Sequence, residues 1–205
     1  MILPRSFYLQ DTRDVAEQLL GKLLVRKVGK QRISGIIVET EAYRGFRDTA
    51  SHAHKGPTKR CEVMFGEGGF SYVYLTYGIH EMFNVVTEKK DFPSAVLIRA
   101  VEPFEGVELI KKLRGVKRDR DLTSGPGKLT RALKIDRSLN GCDLVKRGYI
   151  WIEELNKKWP DGQMAKWLDG FRIQKTPRIG IDYADKKARN WKWRFFVEGN
   201  EYVSR

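Results

Sequence analysis

The chain has 205 residues, 41% of them hydrophobic, which suits one domain spanning 1–205 around a single core. Its formal charge of +13 is spread along the sequence instead of gathered in a tail, so a basic face is expected, with nucleic acid as the natural partner. Cys61 and Cys142 form no C-x-x-C pair, and there is neither a signal-like start nor an apolar run of about 18 residues. A disulfide framework, a zinc knuckle, secretion and membrane insertion are therefore not expected, and an intracellular, reducing compartment fits.

From Asp11 or Thr12, either of which can cap a helix, Val15, Ala16, Leu19 and Leu20 recur at helical spacing until Gly21 ends the pattern. Lys22 to Val28 reads as a strand, and Gly29-Lys30 turns it back into Arg32 to Glu39 as a hairpin. The returning strand runs through Gly35-Ile36-Ile37-Val38 and exits as Glu39-Thr40-Glu41-Ala42-Tyr43. Alternation puts Glu39, Glu41 and Tyr43 on one face and Val38, Thr40 and Ala42 on the other, so one face is not ordinary core. Strand exits are positions where reactive side chains are held well.

Arg44 to Gly69 is rich in Gly, Thr and charge with little periodicity, a long functional loop that carries His52 and His54. After the glycine turn at Gly66 to Gly69, Ser71 to Gly78 reads as a strand in which Tyr72 and Tyr74 share a face. Tyr77 falls at its end beside Gly78, where the chain can protrude. Taken alone, Asn84 reads as a turn residue. Ser94 to Val101 is a buried strand with one charge, Arg99, expected to pair with Glu39 or Glu41.

Phe104 to Leu113 suits a helix with Val107, Ile110 and Leu113 as its apolar stripe, and Lys117 to Asp121 is a solvated charge cluster. Ser124-Gly125-Pro126-Gly127 opens a further helix on which Lys128 and Arg131, three residues apart, share a face suited to clamping a phosphate. Tyr149 to Gly170 combines a short strand with a polar, Trp-containing stretch whose organisation the pattern leaves open. Near the end, Trp191, Trp193, Phe195 and Val197 alternate with Lys192 and Arg194, a strand with an apolar face and a basic edge, its aromatics core and not base-stacking platforms.

Over nearly its whole length the chain resembles the alkyladenine (3-methyladenine) DNA glycosylase family. The matching residues are Val38-Glu39-Thr40-Glu41-Ala42-Tyr43, His52, Tyr72-Val73-Tyr74 with Tyr77-Gly78, Asn84, Leu97 to Pro103, Ser124 to Leu129 and Arg178-Ile179-Gly180-Ile181. The resemblance implies that Glu41 is the general base, with Arg99 orienting it, the water or the nearby backbone. It further implies that Tyr43, His52 and Tyr74 line the base pocket, that Asn84 discriminates against normal guanine, and that Tyr77 intercalates. Such an enzyme extrudes a damaged base and holds it against aromatic faces, because the base is unreachable inside a duplex. No lysine occupies the nucleophile position, so water attack that leaves an abasic site is implied. The family's lesions are 3-methyladenine, 7-methylguanine, hypoxanthine and ethenoadenine, and no cofactor or metal is called for.

The expected partner is thus double-stranded DNA containing damaged purines, with no membrane and with the protein a monomer. Departures from the family pattern at Gly35-Ile36-Ile37, His80 to Phe83 and Glu88 to Asp91 bear on substrate range, not on reaction type. Two other classes compete. A metal enzyme could use His52 and His54 with Cys61 or a carboxylate, but neither H-E-x-x-H nor the H-x-E with P-C-x-x-C pattern is present. A noncatalytic nucleic-acid-binding module would share the charge and the aromatic strands, but would keep its function without Glu41. The expected fold class is α+β, a single mixed domain with a central, largely antiparallel curved β-sheet flanked by helices.

Overall fold

A computed structural model describes residues 1–155, 167 and 170–204, so most of the polar stretch between Tyr149 and Gly170 lies outside the described residues. The sheet is built from β1 (Leu23–Val28), β2 (Gln31–Arg44), β3 (Ser71–Thr76), β4 (His80–Thr87), β5 (Ser94–Glu105), β6 (Ile150–Glu153), β7 (Ile173–Thr176) and β8 (Arg194–Val197). Its order is β3-β4-β5-β2-β1-β6, with β8 paired to β2 and β7 to β8, and every pairing is antiparallel. The α+β class and the curled antiparallel sheet are as expected.

β2 is the strand that the others share. The hairpin at Gly29-Lys30 closes it onto β1, with Val28 opposite Gln31 and Leu23 opposite Ile36, and β5 flanks its whole second side. From Glu39 to Glu41 its first side passes to β8. Register against β5 shifts between Ser34 and Gly35 and again on both sides of Glu39. Bulges of this kind bend a strand and re-aim its side chains, so the sheet curls where β2 changes partner. Gly35 fits this bend because a Cβ there would come within 2.5 Å of Val101 Cγ2 and 3.0 Å of the Glu102 carbonyl oxygen.

Helix α1 (Arg5–Tyr8) is followed by α2 (Thr12–Gln18), whose cap is Asp11, its carboxylate accepting from the Arg13 amide. Val15, Ala16 and Leu19 of this segment are fully buried in the main core, where the helix packs against β2 and β5. Thr40 donates its hydroxyl to the Ala16 carbonyl at 2.7 Å, so the non-acidic face of β2 is fixed to the helix. α3 (Val107–Arg114), α4 (Pro126–Ala132) and α5 (Lys186–Asn190) complete the described helices. Two smaller apolar clusters lie apart from the main core. One joins Ala53, Cys61, Met64, Tyr72, Val86 and Ala95, and the other Ala50, Ile181, Ala184 and Ala188.

Three expectations need correction. Asn84 is not in a turn but within β4, opposite Tyr72 and Leu97, because Phe83 and Val85 bury on the other face and carry Asn84 between them into the sheet. Phe104 and Glu105 extend β5, and the helix begins after Gly106, whose left-handed backbone (φ 67°) breaks the strand. The last strand is four residues long. Trp191 and Trp193 precede it as a stacked pair 4.2 Å apart, and Arg194 is no basic edge but turns inward, its side chain 11% exposed.

Candidate functional site

A cavity of about 470 Å³ opens where the two smaller clusters approach each other. Tyr74 packs against one cluster and Tyr43 against the other, so the cavity walls are rings supported from behind by separate cores. Six sequence-predicted residues line it: Tyr43, His52, Tyr74, Tyr77, Asn84 and Arg99. Glu41 lies immediately beneath, fully buried.

Glu41 reaches this position because β2 alternation aims it to the same side as Tyr43, whose hydroxyl donates to Glu41 Oε2 at 2.9 Å. The Ile179 amide donates to the other oxygen at 2.7 Å, and Arg99 Nη1 lies 3.3 Å from Oε2. The carboxylate is therefore fixed by two donors and one cation. Burial works against the charge on Arg99, but Glu41 and then Glu39 outweigh it and hold the guanidinium above its ordinary pKa. Both expected carboxylate partners of Arg99 are thus real.

The Ile179 amide is supplied by a segment that Arg178 anchors. Its guanidinium makes a forked pair with Asp48, at 2.6 and 2.8 Å, and donates to the Ala42 carbonyl at 2.8 Å. The same group lies 4.6 Å from the Tyr43 ring centre and 5.2 Å from that of Trp193. The Tyr43 hydroxyl is pushed well above its usual pKa, by burial first and by the Glu41 charge second. It therefore remains a proton donor to Glu41.

On the opposite wall, His52 Nδ1 shares a 2.9 Å hydrogen bond with the Tyr72 hydroxyl, and its ring meets Tyr74 edge to face at 4.6 Å. Burial, with Arg60 second, lowers the His52 pKa to about 4, so the ring is neutral at physiological pH. Tyr74, raised to about 12 chiefly by burial, is neutral as well. Tyr72, 1% exposed, lines this wall and is at the same time part of the apolar cluster that supports it. Asn84 donates its amide nitrogen to the Tyr72 and Met82 carbonyl oxygens at 3.1 and 3.4 Å, so its orientation is set by the main chain of β3 and β4.

Tyr77 stands at the cavity mouth and is 88% exposed. It occupies the connection between Thr76 and His80, which pair directly, and the Ile79 amide closes the turn onto the Thr76 carbonyl at 3.2 Å. Both Tyr77 (φ 49°) and Gly78 (φ 71°) adopt left-handed backbone. Tyr183, not foreseen from the sequence, faces the same mouth, 68% exposed, with its hydroxyl donating to the Ala50 carbonyl at 2.8 Å.

Lys128 and Arg131 do not line this cavity. Lys128 donates to Asp121 at 3.1 Å and Ser124 at 3.2 Å, while Arg131 is exposed on the same helix. Lys128 lines a neighbouring cavity of about 310 Å³ that shares Arg99 and Pro126 with the first. Among the described residues, no three His, Cys, Asp or Glu side chains gather closely enough to hold a metal ion, and no helix is long and apolar enough to cross a membrane.

A buried carboxylate fixed by donors beneath a cavity of neutral aromatic walls can accept a proton from water or offset a developing positive charge, while the walls hold a flat apolar group. Comparison with known proteins gives this chemistry a setting. The methylpurine-DNA glycosylase (MPG) family matches residues 6–201. A relative from Methanocella arvoryzae is 46% identical over 205 residues, covering 100% of this chain and 96% of that protein. Others from Desulfitobacterium hafniense and Borreliella afzelii are 46% and 45% identical, covering at least 98% of both chains. All three are provisionally named 3-methyladenine DNA glycosylases.

Proposed function

This chain belongs to the methylpurine-DNA glycosylase family, a DNA-repair enzyme that hydrolyses N-glycosyl bonds, and from that premise we propose how its own residues excise a damaged purine. The noncatalytic alternative is thereby set aside. In this reading, duplex DNA docks over the cavity mouth, with Arg131 and Lys128 contributing to the hold on its backbone. Tyr77 enters the stack and occupies the gap left by the extruded nucleotide, which raises the cost of return. The base then lies among Tyr43, His52 and Tyr74, where stacking contributes about 1–3 kcal/mol, more for a cationic alkylated purine.

As the glycosidic bond lengthens, positive charge develops on the sugar. Glu41 offsets that charge and takes a proton from the attacking water, Arg99 holds Glu41 in place, and the products are the free base and an abasic site. Asn84, fixed by two main-chain carbonyls, meets the purine edge, where the exocyclic amine of normal guanine finds a clash or no partner, a penalty of about 1–3 kcal/mol. The substrates proposed are 3-methyladenine, 7-methylguanine, hypoxanthine and ethenoadenine, with the enzyme acting as a monomer; a dimer persisting on dilution in sedimentation would refute the last point.

The observation that carries this reading is the fully buried Glu41 under a cavity whose walls include Tyr43, His52 and Tyr74, with Tyr77 exposed at its lip. Single-turnover release of hypoxanthine and of 7-methylguanine from duplex DNA, by wild type and by Glu41→Gln, tests it. Release is expected to fall by roughly 10²–10⁴-fold while duplex binding persists. Equal rates in the two proteins would remove Glu41 from the mechanism.

A further inference from the structure

Glu41 is not the only buried carboxylate on this face of β2. Glu39, two residues earlier, is also fully buried, and it does not line the cavity. Its Oε1 accepts from Arg99 Nε at 2.9 Å, Arg194 Nε at 2.7 Å and Ser204 Oγ at 2.8 Å, and its Oε2 accepts from the Ser204 amide at 2.7 Å. Ser204 is held from every polar atom. Besides those two donations, its hydroxyl oxygen accepts from Arg99 Nη2 at 3.2 Å and its carbonyl from Arg194 Nη2 at 3.0 Å.

Arg99 is therefore a planar fork with three directions assigned. Nε goes to Glu39, Nη2 to Ser204, and Nη1 is left for Glu41. A guanidinium is rigid and planar, so fixing two of its edges fixes the third. The charges also sort. With Arg99 alone, two buried carboxylates would compete for one cation, and the pairing would drift toward whichever oxygen lay nearer. Arg194 gives Glu39 a cation of its own, so Arg99 need not neutralise it. The segment that brings Ser204 is in turn tied to β5, because Asn200 donates its amide nitrogen to Glu102 Oε2 at 2.7 Å, three residues beyond Arg99 on the same strand.

We propose that Glu39, Arg194 and Ser204 are positioning residues for base excision, which set the plane of Arg99 and through it the placement of Glu41. None of the three lines the cavity above Glu41; Ser204 reaches only the neighbouring one. This rests on the reading of Glu41 as the reacting base, and it adds that the segment around Ser204, 165 residues from Glu39 along the chain, acts on the chemical step and not on DNA binding.

The test uses the full-length protein in single-turnover base release, with duplex affinity and thermal melting measured alongside. Ser204→Ala removes the hydroxyl that touches both Glu39 and Arg99. The expected result is a release rate roughly 10-fold lower, the range found when supporting partners of a reacting group are removed, with duplex affinity changed less than about twofold. Arg194→Lys keeps the charge but loses the fork, and is expected to give the same split independently of how well Ser204→Ala folds.

The decisive arm repeats both changes in an Arg99→Lys background. There each is expected to cost less than about twofold, because residues that act through one another are not additive. A wild-type rate in Ser204→Ala and Arg194→Lys would overturn the proposal, as would full additivity with Arg99→Lys, which would mark a merely structural role. Glu41→Gln serves as the separate control. If it releases base at the wild-type rate, the reading of the site fails, whereas if it is inactive and the positioning variants are not slowed, only the present proposal fails.

Discussion

Two buried arginine–carboxylate pairs flank the cavity, and they are built for opposite ends. Arg178 and Asp48 are both buried and meet fork to fork, and the same two terminal nitrogens of Arg178 also reach the carbonyls of Ala42 and Ala188 at 2.8 and 3.4 Å, while its Nε is buried without a partner among the described residues. This pair lines neither of the two cavities described above and joins the loop after β2 to the segment before Ile179. Arg99 and Glu41, by contrast, meet through a single 3.3 Å contact, and Arg99 lines the cavity. Burial of a charged pair is common to both. What separates structure from chemistry is whether the pair is enclosed within the fold or presents one edge to the cavity.

Asp48→Asn and Arg99→Lys bring this contrast out most strongly. Asp48→Asn leaves a buried guanidinium without its counter-charge and is expected to cost about 3–5 kcal/mol of stability, read as a large fall in melting temperature. Arg99→Lys keeps a cation beside Glu39 and Glu41 but loses the planar fork, so about a 10²-fold loss in single-turnover release is expected with a smaller change in melting. If Asp48→Asn melts like wild type, or Arg99→Lys loses stability but not rate, the division fails.

Tyr77→Ala lies outside both pairs. With the side chain 88% exposed, melting is expected to change by less than about 0.5 kcal/mol, while base release falls by the equivalent of about 1–3 kcal/mol of lost stacking, most visibly in well-paired duplexes. Tyr43→Phe retains the ring between the two pairs and deletes the hydroxyl that donates to Glu41, so a loss near 1 kcal/mol in rate is expected, about fivefold. A further effect is on pH dependence. The folded protein holds His52 at about 4 against an ordinary 6.5, so the unfolded chain takes up the proton first. Stability is lost as pH falls from about 6.5 to about 4 and is unaffected by His52 above that interval. Melting curves of His52→Gln should fall less than wild type across it.

Much of this was legible in the sequence, for identifiable reasons. The β1–β2 hairpin announced itself through Gly29-Lys30 and alternation, and the same alternation put Glu39, Glu41 and Tyr43 on one face. Tyr77 could be placed because a glycine follows it at a strand end. β4 was missed because His80-Glu81 opens it with polar residues and Asn84 has low strand propensity; pairing on both sides, with β3 and β5, overrides that preference. Three of the donors to Glu39 and Glu41 come from Ile179, Arg194 and Ser204, more than 130 residues away, and no local periodicity carries such contacts. A signal did exist for one of them, since Arg178 and Ile179 stand in a motif shared with the family, but the motif alone assigns a backbone amide no role. Arg194 was misread because alternation assigns it to the outer face, whereas β8 joins β2 at the point where Glu39 needs a second cation.

The turn that carries Tyr77 restricts what could ever replace it. With the residue held at φ 49°, any side chain at that position must accept a left-handed backbone before its size or polarity matters. Valine, isoleucine and threonine are branched at Cβ and are penalised there whatever they would do inside a base stack. Asparagine and glycine are tolerated by the backbone but offer no ring. The range of workable wedges is thus narrowed by a dihedral angle, and a screen of substitutions at this site would rank residues by their ease in the turn as much as by their fit to DNA.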